Sequence, residues 1–316
     1  MKKANILVQI FIGIIIIVFI FNKLNLSDVA DALKRTNPLY FVFACLSYVL
    51  LNVVLASRLN YLLKRIGYRF RFIDVFISHM GGMMVGDITP GRSGYFLTPS
   101  LLKKNAGSKV TDGMACIFAP QGIEFILKVG GAVAAIIYIS TFPGISNDLI
   151  ITAAAGAAFL LVVGILMLLI AFHDEKMTSK FLGRLPFFKN YLSNLSSFKE
   201  RNLGIKENLN AIMAFSLLGW VFAALHWYYI GKALGLVELS YFDFFLLHPL
   251  LTILMFVPIS PAGFGLLEGG AILVFSLFTI SAEPSMAFIL LVRASILLVD
   301  MLGLKTILAS LRDLEI

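Results

Sequence analysis

Six charged residues occupy places where charge is costly. Asp87 precedes and Arg92 lies within the stretch Ile88-Thr89-Pro90-Gly91-Arg92-Ser93-Gly94, and Glu268 follows the stretch Ile259-Ser260-Pro261-Ala262-Gly263-Phe264-Gly265 by three residues. Glu124, Lys128 and Arg293 stand inside long apolar runs. An ionised side chain in hydrocarbon needs a partner or a wet cavity, so such residues mark ion pairs, coupling sites or the path of a charged substrate. The two stretches share the pattern I-[S/T]-P-[G/A]-x-x-G. Ser or Thr before Pro is a helix-start signal, because the hydroxyl caps an orphan N–H and Pro suits the first helical position. Two such starts meeting near a bilayer midplane would gather Thr89, Pro90, Gly91, Arg92 and Gly94 with Ser260, Pro261, Gly263, Gly265 and Glu268 around an anionic group. Positive helix ends and a guanidinium fork both favour phosphate there. Asp87, Glu124, Lys128 and Arg293 would balance charge or carry a coupling proton, with Lys128 one turn beyond Glu124 and able to pair with it. Arg92 also admits a purely structural reading, as the partner of Glu268 or Asp87.

Other chemistries are poorly supplied. His79, His173, His226 and His248 form no metal-type cluster with Asp, Glu or Cys, so neither a metal site nor a cofactor is expected. Cys45 and Cys116 are far apart in apolar segments, which favours packing over a disulfide. Gly91-Arg92-Ser93-Gly94 matches the G-x-S-G of rhomboid intramembrane proteases, with Ser93 as nucleophile and His226 or His248 as base. The rhomboid histidine is typically followed by Gly three positions on, where this chain has Tyr229 and Leu251. No phosphate-binding loop ending in Lys-Ser/Thr is present. A catalytic role is therefore not expected.

The elements that must position these residues are membrane helices. The chain has 316 residues, 59% of them hydrophobic, 28 phenylalanines and a mean hydropathy of +0.91. That much apolar surface cannot be hidden in a soluble domain of this length. The net charge of +8 sits in residues flanking apolar spans, which is a topology signal rather than a nucleic-acid one. Full spans are expected at about 4–21, 39–57, 113–140, 149–171, 210–231 and 285–309. The apolar regions 73–102 and 243–280 are each broken by one copy of the motif, with arms marginal or too short to cross ~30 Å of hydrocarbon singly. Read as re-entrant hairpins, they place Arg58, Lys64, Arg65, Arg69, Arg71, Lys103, Lys104, Lys109 and the basic stretch 173–206 on one face with both termini. The positive-inside rule makes that face cytoplasmic. The expected architecture is a single all-α polytopic domain over 1–316. It has about six full spans and two oppositely oriented re-entrant hairpins, with 39–140 and 210–309 as inverted repeats. Residues 173–206, with Met177, Phe181, Leu185, Phe188, Leu192 and Leu195 at helical spacing, form an amphipathic cytoplasmic loop suited to the inner leaflet. Asp300, near the cytoplasmic end of the last span, would snorkel or pair with Lys305.

Two segments carry a family resemblance. TPGRSG (89–94) followed by FLTPSLLKK (96–104), and PISPAGFGLLEGG (258–270), resemble the two signatures of the lysylphosphatidylglycerol synthase/flippase transmembrane domain family. The resemblance covers almost the whole chain, and P-x-x-P-x-G-x-G-x-x-E is the more specific signature. It implies that Pro90, Gly91, Arg92 and Gly94, with Pro258, Pro261, Gly263, Gly265 and Glu268, line hairpins at a lipid groove. Members include bacterial proteins whose membrane domain flips aminoacylated phosphatidylglycerol, and archaeal relatives fused to glycosyltransferases acting on polyprenyl-phosphate lipids. The chain departs from the pattern at Tyr95 and Thr98-Pro99, where many members carry an acidic residue and soon an Arg. It departs again at Phe125 and Lys128, where some members continue a charged run after the residue equivalent to Glu124. The soluble aminoacyl-transferase domain of the synthases has no counterpart in these residues, so lysyl transfer is not expected.

Together these readings point to a multi-pass protein of a prokaryotic plasma membrane that moves an anionic phospholipid or a polyprenyl-phosphate-linked lipid through a polar groove. The alternative is a non-transporting subunit that supports a separate lipid aminoacyl- or glycosyltransferase, and a small-anion transporter comes third. Nucleic acid is not a partner on this reading, and a homo-oligomer is left open.

Overall fold

The computed structural model describes residues 20, 22, 24–142, 147–173 and 195–312. The expected first span, 4–21, apart from Ile20, and most of the basic stretch 173–206 lie outside them. The described residues are helical throughout: α1 (Leu26–Lys34), α2 (Pro38–Arg65), α3 (Phe72–Gly86), α4 (Thr98–Ala106), α5 (Val110–Ile139), α6 (Asn147–Phe172), α7 (Leu195–Lys206), α8 (Leu209–Leu234), α9 (Tyr241–Phe256), α10 (Leu266–Ser276), α11 (Ala282–Asp300) and α12 (Leu304–Arg312). Helices α2, α5, α6, α8 and the run α11–α12 are five stretches long and apolar enough to cross a membrane. They match five of the six expected spans.

Local chemistry fixes several boundaries. Asn37 accepts from the Leu39 N–H at 3.0 Å and Pro38 takes the first turn, so α2 starts where its orphan donors are satisfied. Ser240 and Asp243 form a reciprocal capping box at the start of α9. Helix α8 ends at Gly235, whose φ of 74° closes the last turn. Helix α2 runs to Arg65, eight residues past the expected end at 57, because Leu59, Leu62 and Leu63 continue the buried face. Its 28 residues reach about 42 Å. Arg58 is consequently not a loop charge but a buried residue of this helix, 4% exposed.

The helices that flank the motif are short. α3 (15 residues), α4 (9), α9 (16) and α10 (11) extend about 22, 14, 24 and 16 Å, against ~30 Å of hydrocarbon. Their connecting loops meet: Pro90 and Pro261 face each other in an isolated antiparallel bridge, and the Ala262 N–H donates to the Thr89 carbonyl at 3.3 Å.

The core lies between α2, α5, α6, α8, α9, α10 and α11. Phe244, Phe275 and Phe288 pack ring against ring with Trp227, tying α9, α10, α11 and α8 together. Ile137, Ile151, Leu217 and Leu298 point outward, an apolar exterior suited to lipid. Pro249 inside α9 removes an N–H and leaves the Phe245 carbonyl unpaired within the helix; the Trp220 indole of α8 donates to it at 2.8 Å. Helix α7 is docked rather than free: Arg201 reaches Asp112 of α5 at 3.3 Å, and Ile205 is fully buried. This described end of the basic stretch packs on the protein.

Candidate functional site

The two motif copies share backbone geometry. After each proline come two left-handed residues, Gly91 (φ 60°) and Arg92 (φ 54°) in the first copy, Ala262 (φ 42°) and Gly263 (φ 68°) in the second. Arg92 and Ala262 hold this conformation despite a Cβ, a strain that persists only where the surroundings enforce it. The expected helix starts at Pro90 and Pro261 are therefore not formed. Left-handed residues cannot begin an α-helix, and both prolines serve the tip contact instead. The Thr89 hydroxyl accepts from the Gly94 N–H at 2.7 Å, ahead of a 3-10 turn over Ser93–Leu97. The Ser260 hydroxyl donates to the Phe264 carbonyl at 2.7 Å. Helix α10 begins at Leu266, and the Glu268 carboxylate accepts from the Gly265 N–H at 2.7 Å. Glu268 thus occupies the positive end of its own helix.

The predicted charges resolve into three groups. Arg293 Nε donates to Glu268 Oε1 at 2.6 Å, its guanidinium carbon lies 3.9 Å from the centre of the Phe264 ring, and Nη1 approaches the Ala262 carbonyl at 3.4 Å. Arg92 pairs with Asp87 through a charge-assisted hydrogen bond. Of the two partners considered for Arg92, the structure selects Asp87, because Glu268 is taken by Arg293. Glu124 is held between Arg58 Nη1 at 3.1 Å and Lys128 Nζ at 3.7 Å, and Arg58 Nη1 also donates to Ser216 Oγ at 2.7 Å.

A cavity of about 130 Å³ lies among α2, α3, α5, α8, α9, α11 and the first tip. Among the described residues, its charged lining consists of Arg58, Arg92 and Lys128 against Glu124. Asp87 does not line it and compensates Arg92 from behind. The wall therefore carries one more positive charge than its partners neutralise, with Arg92, Lys128 and Glu124 each retaining 15–19% exposure toward it. Of the sequence-predicted residues, Gly91, Arg92, Glu124 and Lys128 border this cavity; Thr89, Pro90, Gly94, Ser260, Pro261, Gly263 and Gly265 build the tip junction. A second space of about 30 Å³ is lined by Asp87, Ala262, Phe264 and Arg293.

Sequence reasoning missed Arg58, the cation most deeply committed to the site. Its signal was the leucine periodicity that carries α2 past it. Tyr48 and His79 also contribute, and their burial had no sequence signal beyond polar atoms in apolar helices. His79 is bracketed by Asn52 Oδ1 at 3.0 Å and the Tyr95 hydroxyl at 3.1 Å, while His226 bonds Ser295 at 2.7 Å. Ser93 is exposed, and His226, one of the two bases considered for it, bonds Ser295 instead. Asp300 neither snorkels nor meets Lys305: it is fully buried, and Lys305 is exposed.

Fold and site together define a multi-pass helical membrane protein with a cationic cavity bordered by the first of two touching helix breaks. The chain belongs to the lysylphosphatidylglycerol synthase transmembrane-region family, whose sequence model matches residues 6–303. It is similar to a UPF0104 membrane protein of Methanothermobacter thermautotrophicus, 21% identical over 89% of this chain and 88% of that one. A UPF0104 membrane protein of Methanocaldococcus jannaschii is 29% identical over 92 residues, which span 29% of this chain and only 27% of the relative.

Proposed function

We propose that the protein translocates a lipid with a compact phosphate-linked headgroup across a prokaryotic plasma membrane, the headgroup passing through the cavity while the tails stay in the bilayer. The observation that carries this reading is the excess positive charge of the cavity wall. A buried, incompletely neutralised cationic wall is poised for an anion, and two guanidinium groups with one ammonium suit phosphate oxygens. The volume of about 130 Å³ lies below the several hundred Å³ of ordinary small-molecule sites, so it takes a headgroup and leaves a diacyl tail outside. On this reading α3–α4 and α9–α10 are re-entrant hairpins with opposed orientation. The halves 39–140 and 210–309 are then inverted repeats that rock against each other, parting at the tip contact, to expose the cavity to alternate leaflets. The family and its archaeal relatives are membrane proteins, and the family's name ties it to a lipid with a phosphate headgroup.

The test is a headgroup-accessibility assay in proteoliposomes containing phosphatidylglycerol or a polyprenyl phosphate. Wild-type protein is expected to accelerate leaflet exchange of one of these lipids. Lys128→Met should slow that exchange by about tenfold to a hundredfold, the loss of one charge-assisted contact of ~1.5–3 kcal/mol. Exchange no faster than in protein-free vesicles overturns the reading. Uptake of free phosphate without lipid exchange would replace it with small-anion transport.

A further inference from the structure

Behind Arg92, on the side away from the cavity, the Asp300 carboxyl at the end of α11 lies against Asp87, Arg92 and Tyr48. Asp300 is 0% exposed, Tyr48 3% and Asp87 6%. Both oxygens of Asp300, the Oδ2 of Asp87 and the Tyr48 hydroxyl lack a hydrogen-bond partner among the described atoms. Three of these four atoms are carboxyl oxygens, which when ionised can accept but not donate, and the phenol supplies a single O–H. Arg92 is already committed to Asp87 Oδ1.

We propose that Asp87 and Asp300 hold one proton between them, making this pair the protonation site that answers to the position of Arg92. The unpaired carboxyl oxygens and the single guanidinium that the two carboxyls share carry this assignment. Arg92 faces it directly, and Arg293 lines the 30 Å³ space that Asp87 also borders. Arg92 is balanced by Asp87 and Arg293 by Glu268. An ionised Asp300 would have no counter-ion of its own: it would share Arg92 with Asp87, two like charges in contact in a buried site whose facing guanidinium already bonds Asp87. The remaining neighbours cannot supply a counter-ion. Tyr48 contributes a phenol from α2, His226 of α8 packs at a tilt against the Tyr48 ring and bonds Ser295, His79 of α3 is satisfied by Asn52 and Tyr95, and Lys305 of α12 is exposed. A protonated Asp300 removes the like-charge contact with Asp87 and turns an acceptor–acceptor contact into an O–H···O bond, with the Tyr48 hydroxyl left to donate to the other carboxyl oxygen.

Of the carboxylates the sequence singled out, Asp87 and Glu124 as charge-balancing or coupling groups and Glu268 in the anion-binding set, two need no proton: Glu124 and Glu268. Both have their charge partnered, Glu124 by Arg58 and Lys128, Glu268 by Arg293 and the Gly265 N–H. The Asp87–Asp300 pair is the unsatisfied one. Its link to transport rests on the function proposed above. If Arg92 turns from Asp87 onto an anionic headgroup in the cavity, Asp87 loses its counter-charge and takes up a second proton from the medium, so one proton enters with each negative charge.

Infrared spectroscopy of the full chain in lipid nanodiscs, with carboxyl-13C aspartate, reads the proton without any lipid movement. At neutral pH the wild type is expected to show the carbonyl band of a protonated aspartic acid, shifted by the label and by D2O. The band should be lost in Asp300→Asn. Tyr48→Phe keeps the fold's charge intact and should shift the band by removing its hydrogen-bond donor, which serves if Asp300→Asn does not fold. No protonated-aspartate band at neutral pH overturns the proposal, as does thermal stabilisation by sodium in a protein that lacks the band. A band that Tyr48→Phe leaves unmoved assigns the proton elsewhere and also overturns it. Failed lipid exchange with the band present would instead sink only the translocation reading.

Discussion

At the scale of single residues, Arg58 and Lys128 share one carboxylate but stand in different situations. Arg58 is 4% exposed and depends on Glu124 and Ser216; Lys128 reaches Glu124 only at 3.7 Å and faces the cavity. Glu124→Gln leaves Arg58 as a buried charge without a counter-ion, an expected loss of about 3–5 kcal/mol. Arg58→Met combined with Glu124→Gln should recover much of it, since the stranded charge goes too. Lys128→Met keeps the Arg58–Glu124 bond and should change stability by less than about 1 kcal/mol. Thermal unfolding of the four proteins in one detergent checks the order, and a Glu124→Gln protein as stable as the wild type contradicts it. The isolated charges at Glu124, Lys128, Glu268 and Arg293 were legible in the sequence because each interrupts an apolar run. Their partners were legible only where one turn separates them, as for Lys128. Arg58 meets Glu124 across 66 positions, and Glu268 meets Arg293 across 25, so helix packing rather than local pattern decides those pairs.

At the scale of elements, the repeated I-[S/T]-P-[G/A]-x-x-G pattern marked both breaks correctly and misassigned their mechanism. Thr89 and Ser260 were read as caps of helices starting at Pro90 and Pro261. Instead each proline is followed by two left-handed residues, and regular α-helix resumes only at Thr98 and Leu266. A positive φ at Arg92 or Ala262 cannot be read from residue type, since neither favours it. Five of the long helices were legible from length and hydropathy alone, although α2 ends eight residues late because its buried face outlasts its most apolar window. Gly263 tests the tip geometry. Its φ is 68°, and a Cβ there would lie 2.7 Å from the Leu254 carbonyl oxygen and 2.8 Å from Met255 Cα. Gly263→Ala should therefore cost more than the ~1–2 kcal/mol of a left-handed alanine. Gly235→Ala, with a φ of 74° and nothing within 4 Å of the added carbon, should cost only that backbone term. Comparing the two melting temperatures isolates the steric part; equal losses would mean that the tip is not tightly packed against α9.

At the scale of the whole molecule, the decisive contact is small. The two broken elements belong to halves of the chain separated by some 170 residues, and they touch through Pro90 and Pro261, one backbone hydrogen bond of 3.3 Å, and Gly91 lying against Phe256 and Pro258. The junction borders the cavity through Gly91 and Arg92 and the Asp87–Arg293 space through Ala262 and Phe264. Helices α2 and α5 of one half share a single core with α8, α9 and α11 of the other, so relative movement of the halves has to slide these helices on one another as well as part the tips. Antiparallel bridge partners hold their Cα atoms about 4.5–5.5 Å apart, inside the range a disulfide spans. In a Pro90→Cys/Pro261→Cys protein with Cys45 and Cys116 changed to Ala, mild oxidation should link the tips almost completely, as the mass of the joined peptides would report. Lipid exchange in proteoliposomes should then fall to the protein-free rate and return on reduction, because rocking needs the tips to separate. Linked protein that exchanges lipid at the unlinked rate would show that the moving seam lies elsewhere, and that the tip junction is a fixed strut around which other helices open the cavity.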